Sequence, residues 1–455
     1  MRLNLSNKSI EEIIKLLKQL NDGGTIQLDL SANKLGYKPQ PELAMLWDML
    51  KHSGFTHLSL SLNDLDQKSE AELIALFHNL KGSAITHLDL SWNGFDQKKA
   101  TELFAILCVL NQLGITHLNL SLNRLGEKKG EELATIVSAF RNSSLIELNL
   151  DSNKLGQRPG AELGLLGNAL KETGVIYLGL CSNALGNRTA DELAALFATF
   201  IESNVTHLDL SWNDFSKRTG IELHRLLNLL VESGIIVLDL SGNHLAKKTD
   251  IELLDLFNLF KKGAITHLNL SFNHLGEKAT PGLAALFRAF KGSAITSLGL
   301  SSNFLEQKTG LELSVILNSF SDSNITELDL SRNDFEKRTV EDLMLIFNAL
   351  PANITRIKLT VHEVTNMNDA QRKAIQTRYP RAQQIVLIDN QNRELNPALS
   401  RDDANIYTSL GFEVSAPSLF NLVSFFVARN ATQFGREVTG TLSAELKEGI
   451  EQFKS

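Results

Sequence analysis

His57, His87, His117, His207 and His267 are separated by whole multiples of 30 residues. Imidazoles in such a row have the chemistry for zinc ligation. Cys181 offers a nucleophile, and an acidic residue recurs at Glu72, Glu192, Glu222, Glu252 and Glu312, where it has the chemistry of an acid/base catalyst. Each chemistry requires groups that converge on one point, so the elements that carry these residues decide what they do.

Those elements repeat. LDLSANKL begins at Leu28 and returns as LSLSLNDL at Leu58 and LDLSWNGF at Leu88, and so on through Leu328 in eleven copies spaced by 30 residues. A fixed period of this size is the signature of a solenoid. In the copy that begins at Val205, the alternation VTHLDLS predicts a short strand with one buried face. Phe215 and the polar stretch SKRTG follow, and then Leu223, Leu226, Leu227 and Leu230 recur at helical spacing. The unit is strand, turn, helix.

The recurrent acids then find a bland role. Ser9 with Glu12, Ser69 with Glu72, and Thr189, Thr219, Thr249 and Thr309 with the glutamate three residues on all fit a helix-capping box. The acid is present in ten of eleven copies, Gly282 being the exception, as capping requires and a single active site does not. An asparagine column, Asn33 to Asn333 without a gap, predicts a ladder in which amides pair backbone groups at the turn after each strand.

LxLSxNxL followed by a helix of the form ELxxLFxxL resembles the leucine-rich-repeat family, in its long, helix-backed form similar to ribonuclease inhibitor. The resemblance covers about residues 1–360. It implies an α/β solenoid, a horseshoe with a parallel concave sheet, outer helices and a concave protein-binding surface. The near-identical copies and the phrase LNLSxNxLGxK also resemble secreted leucine-rich-repeat effectors of intracellular bacterial pathogens. That second resemblance implies virulence-related delivery into host cytosol without a cleaved signal peptide.

Strand alternation assigns the exposed face. If Leu28 and Leu30 point inward, one outward column runs His57, His87, His117, Glu147, Tyr177, His207, Val237, His267, and a second includes Asp89 and Asp209. A third, just past the strand, varies from glycine to tryptophan while its surroundings stay fixed. It holds Leu62, Trp92, Leu122, Trp212 and Phe272, which have no evident fold role. Aromatic side chains on a polar surface are typical interface anchors. The expected partner-binding set is therefore these five with His87, Asp89, His117, Tyr177, His207, Asp209 and His267. Histidine titration is expected to make binding vary between about pH 5.5 and 7.5. A flat column converges poorly on a metal, so neither metal nor cofactor is expected. Duplication of one ancestral repeat accounts for the histidine row equally well.

A basic residue precedes each helix, from Lys38 through Lys68, Lys98, Lys128 and Arg188 to Arg338. Pairing with the acid four positions later is the expected role, and binding of a polyanion or lipid headgroup is the alternative. Net charge is −7 over 455 residues, which gives no general pull toward nucleic acid. Only Cys108 and Cys181 are present, far apart in sequence, as expected in a reducing compartment. No run of about 18 apolar residues marks a membrane span. No GxxxxGK[ST], HExxH, CxxC or GxSxG motif occurs. The expected molecule is a cytoplasmic, monomeric binding scaffold rather than an enzyme. The competing reading is an enzyme or enzyme adaptor acting through the C-terminal segment.

Expected boundaries are an N-terminal capping repeat over 1–27, eleven repeats over 28–357, a degenerate repeat and cap over 358–395, and a helical segment over 396–455. Ile354, Ile357 and Leu359 predict a strand, Asp369 to Tyr379 a helix that stops at Pro380, and Ile385 and Leu387 a last strand. The apolar stretch 417–434 predicts a helix docked on the end of the array.

Overall fold

A computed structural model describes residues 2–19, 27–157, 163–398, 400–412 and 414. The apolar stretch 417–434 lies outside the described residues. The chain forms two compact units, one of Met1–Asn273 with Gly292–Ile295 and one of His274–Lys291 with Thr296–Ser455.

Among its described residues the first unit contains ten short strands: β1 Arg2–Asn4, β2 Gln27–Asp29, β3 His57–Ser59, β4 His87–Asp89, β5 His117–Asn119, β6 Glu147–Asn149, β7 Tyr177–Gly179, β8 His207–Asp209, β9 Val237–Asp239 and β10 His267–Asn269. Each pairs in parallel with the next, and from β2 onward a residue faces its counterpart one repeat away, His57 opposite His87 and Leu58 opposite Leu88. The strands are shorter than the alternation predicts: VTHLDLS contributes only His207–Asp209 to the ladder. Three residues suffice because the central leucine of each strand is buried, Leu58, Leu88 and Leu118 at 2 % exposure or less. Burial of one such side chain contributes about 1.5–3 kcal/mol.

The helices close each repeat on the opposite side. In Gly220–Glu232 the apolar stripe Leu223, Leu226, Leu227 and Leu230 is buried. Thr219 accepts from the Glu222 N–H at 3.2 Å while Glu222 accepts from the Thr219 N–H at 2.8 Å, the predicted capping box. Ser9 and Glu12 make the same pair. The polar stretch between strand and helix is not a plain loop. It closes a 3-10 turn, as at Phe215–Lys217.

The asparagine ladder forms as predicted. Asn183, fully buried, accepts from the N–H groups of Asn153 and Leu155 at 2.9 and 3.2 Å and donates to the carbonyls of Leu150 and Cys181 at 2.9 and 3.2 Å. Within the first unit the ladder thus ties a repeat to the one before it.

The second unit contains β11 Ser297–Gly299, β12 Glu327–Asp329, β13 Arg356–Thr360 and β14 Ile385–Ile388, also parallel in sequence order. Its ladder does not end at Asn333. Glu363, thirty residues on and buried, accepts from the Asn333 N–H at 3.1 Å. Helix Asp369–Arg378 lies where predicted. β14 meets helix Arg401–Ser409, whose Tyr407 hydroxyl donates to the Ile385 carbonyl and accepts from the Leu387 N–H, both at 2.8 Å. Asp403 anchors that helix through Arg393, Nη1 and Nη2 each lying 3.0 Å from a carboxylate oxygen. Tyr407→Phe leaves two buried groups of β14 unpaired and should cost about 2 kcal/mol. Denaturant midpoints of the two proteins check this, and an unchanged midpoint would mean that this strand edge is open to water. Among the described residues no helix is long and apolar enough to cross a membrane.

Candidate interaction face

The sheet face opposite the helices is where the predicted residues come together, all of them within the first unit. Its rows follow the 30-residue register. In the first row the imidazoles stack: His57 on His87 with ring centroids 3.8 Å apart, His87 on His117 at 3.9 Å. Tyr177 and His207 approach to 4.1 Å at a tilt. Each histidine is oriented by the threonine before it, Thr56, Thr86, Thr116, Thr206 and Thr266 lying 2.8–2.9 Å from the neighbouring Nδ1. Over His57, His87 and His117 the face dips into a depression of about 250 Å³, bounded by Gln27 and Glu147.

Stacked rings present edges in parallel and do not enclose a cation. Among the described residues no three His, Cys, Asp or Glu are arranged to hold a metal. Stacking also changes titration. Burial, and then the neighbouring His57 and His117, push His87 down to about 4. Burial and His117 lower His57, and burial and His267 lower His207. His87 therefore stays neutral throughout the window in which the row is expected to switch. The sign for these three is fixed. Between an ordinary histidine value near 6.5 and the lowered one, the unfolded chain binds protons that the fold rejects, so they destabilise as pH falls. Asp151, raised to about 6 by burial and then by Asp209, acts in the opposite sense over about pH 4–6. Site-resolved NMR is thus the clean test. The His87 ring should titrate near pH 4, and His117→Asn should raise that midpoint by removing a like charge. A His87 midpoint near 6.5 would contradict the stacked arrangement.

The second row has a role that its sequence conceals. Asp89 accepts from the Ser91 N–H at 2.9 Å and Asp209 from the Ser211 N–H at 2.8 Å. Asp29, Asn119, Asn149, Asp239 and Asn269 do the same two residues on. One oxygen of Asp89 and of Asp209 is therefore committed to the turn, a role beside the partner contact expected of them. At Gly179 that acceptor is missing. Asp151 of the preceding repeat takes over and accepts from the Cys181 N–H at 2.7 Å. Burial pushes the Cys181 thiol up, so it is a poorer nucleophile than a free thiol.

The third row lies at a special backbone position. Leu62, Trp92, Leu122, Trp212 and Phe272 all have φ between 52° and 58°. Left-handed backbone disfavours bulky L residues by roughly 1–2 kcal/mol. These side chains stand out from the surface: Leu62 is 43 %, Trp92 57 %, Leu122 41 % and Trp212 48 % exposed. Phe272 is instead half-buried, because its ring lies 5.4 Å from that of Trp212. The two residues belong to repeats that are not adjacent. The indole spans the gap across Gly242, where a Cβ would stand 2.4 Å from it. Any side chain at 242 would lift the ring off this platform.

Most of the described basic residues before the helices bond within the fold. Lys68 donates to the Lys38 carbonyl at 2.6 Å, Lys248 to the Ser216 carbonyl at 2.8 Å, and Arg338 to the Lys308 carbonyl at 2.6 Å. Lys98 and Lys128 reach the carbonyls of Lys68 and Lys98 in the same way. Lys68, Arg188 and Arg218 also approach the acid four positions on, at 3.2, 2.9 and 3.7 Å. Local pairing is thus only part of their role. Among the described members of this row none is exposed, so it does not present the open positive stripe that polyanion binding requires.

Residues 203–218 match the family described as Leucine Rich repeat. No curated protein matches the sequence. Among solved structures, the chain is similar to the leucine-rich-repeat-containing protein LegL7 from Legionella pneumophila, with 32 % identity and a TM-score of 0.57 over 67 % of this chain and 93 % of that one. It is also similar to a chain of the Rad7 and Elc1 complex in yeast (14 % identity, TM-score 0.39, 84 % of this chain and 93 % of that one). A third is a chain of the TLR13–ssRNA13 complex (16 % identity, TM-score 0.40, 85 % and 46 %).

Proposed function

The chain belongs to the leucine-rich-repeat family, and on that premise we propose that the open sheet face of its first unit grips a protein partner. The observation that carries this reading is the third row. Tryptophan, phenylalanine and leucine occupy left-handed positions where glycine or asparagine costs less, and three of them form an exposed apolar run at Leu62, Trp92 and Leu122. Such residues add little to the fold and much to a desolvated contact. Around them the stacked histidines, Tyr177 and the second-row carboxylates supply polar edges. We place the partner in a host cell, with the chain acting there as a delivered effector. The phrase LNLSxNxLGxK and the similarity to the Legionella pneumophila protein support that placement.

Affinity capture from host-cell lysate with the full chain tests the proposal. A partner should be retained by wild type and by the helix-side variant Glu42→Gln/Glu131→Gln, and lost from Trp92→Ala/Trp212→Ala. If the double alanine variant captures the same protein equally well, the face does not carry the function.

A further inference from the structure

We propose that the half of this face between Glu147 and Phe272 receives a basic peptide segment, an arginine side chain lying on the Trp212 indole within reach of the Asp209 and Asp239 carboxylates. This rests on the interface reading above and gives the partner its chemistry.

Charge on the face carries the step. From Gln27 to Phe272 the side chains of its three rows, and of the positions between the second and third (Ser31 to Ser271, with Asp151 among them), include six carboxylates, those of Asp29, Asp89, Glu147, Asp151, Asp209 and Asp239, and no lysine or arginine. Four of the six lie from Glu147 onward. Asp209 and Asp239 are direct partners on neighbouring strands, where like charges oppose one another. Burial and then Asp209 raise both Asp151 and Asp239. Within these rows no lysine or arginine faces the carboxylates, and a cationic ligand would supply the opposite charge.

The aromatic platform selects the cation. Trp212 spans Gly242 to reach Phe272, so an indole face lies over the turn that β9 enters from Asp239. A cation over an indole gains about 0.5–2 kcal/mol, more as it is desolvated. A guanidinium stacks with its plane and directs N–H groups sideways to carboxylates, which an ammonium cannot do. The carboxylates retain acceptor capacity. Asp239 accepts from the Ser241 N–H at 2.8 Å, from the Ser241 hydroxyl and from Asn269 Nδ2 at 2.7 Å, three bonds on two oxygens that can each accept two. Single-stranded RNA also stacks on aromatic rings, but its phosphates would meet these carboxylates.

The test is fluorescence anisotropy with the full chain and a labelled peptide, Gly-Ser-Arg-Gly-Arg-Ser-Gly. Its comparators are the same peptide with citrulline for arginine and a single-stranded RNA heptamer. The arginine peptide should bind, and citrulline should weaken it by about tenfold or more. Asp209→Asn/Asp239→Asn, which keeps the turn acceptors, and Trp212→Ala should each weaken it by about tenfold, while Glu42→Gln/Glu131→Gln changes it by less than about twofold. Equal loss in the helix-side variant, full binding by the citrulline peptide, or preference for RNA would overturn the proposal. A captured partner that is lost from Trp92→Ala/Trp212→Ala but indifferent to Asp209→Asn/Asp239→Asn would overturn the basic segment alone and leave the interface reading standing.

Discussion

Asn183→Leu should lower stability by about 3 kcal/mol, the upper end of what one unsatisfied buried group costs. The side chain is fully buried and makes four hydrogen bonds to backbone groups of its own and the preceding repeat. Leucine is of similar size, so the loss is not one of volume. It strands the N–H groups of Asn153 and Leu155 and the Leu150 carbonyl away from water. Position in the array amplifies the effect, because a solenoid holds together only through neighbours. Ser182→Ala, one residue away and exposed, should stay within about 0.5 kcal/mol. Chemical denaturation read by far-UV circular dichroism separates the two. Equal midpoints for all three proteins would mean that the asparagine column faces solvent.

Trp92→Gly should have the opposite character: no loss of stability and a large loss of binding. Trp92 has φ 52° and is 57 % exposed, so it pays backbone strain without burying its ring. Glycine relieves about 1 kcal/mol of that strain at some cost in unfolded-state entropy, which leaves the melting midpoint near or above that of wild type. Trp212→Gly also loses the contact with Phe272, so its midpoint should fall slightly. For binding, removal of an aromatic anchor costs about 2 kcal/mol or more, roughly thirtyfold in affinity. A residue that weakens the fold and strengthens a contact is one kept for the contact.

Much of this is legible in the sequence alone. The 30-residue period set the register of the strands from β2 to β10 in the first unit and of β11 with β12 in the second, and the capping glutamates and the asparagine ladder followed from local chemistry. What escaped was chemistry that acts across repeats or hides behind residue type. Tryptophan and leucine at positions 62, 92 and 122 give no signal of left-handed backbone, since those types disfavour it. Lys68 carries an acid four residues on, so a local partner masked its reach to a carbonyl thirty residues back. Asp209 reads as a surface charge, and only the turn geometry shows that it closes a backbone bond. Glu363 replaces an amide by a carboxylate, though its spacing from Thr360 was a usable capping signal.

The central claim is that exposed aromatic side chains on the open sheet face bind a protein. The most direct test is the dissociation constant of the captured partner for wild type, Trp92→Gly and Trp212→Gly, measured beside their melting curves. Affinity should fall by roughly thirtyfold in each variant, with the midpoint of Trp92→Gly at or above that of wild type. Unchanged affinity in both variants, with binding lost instead from helix-side substitutions, would contradict the claim.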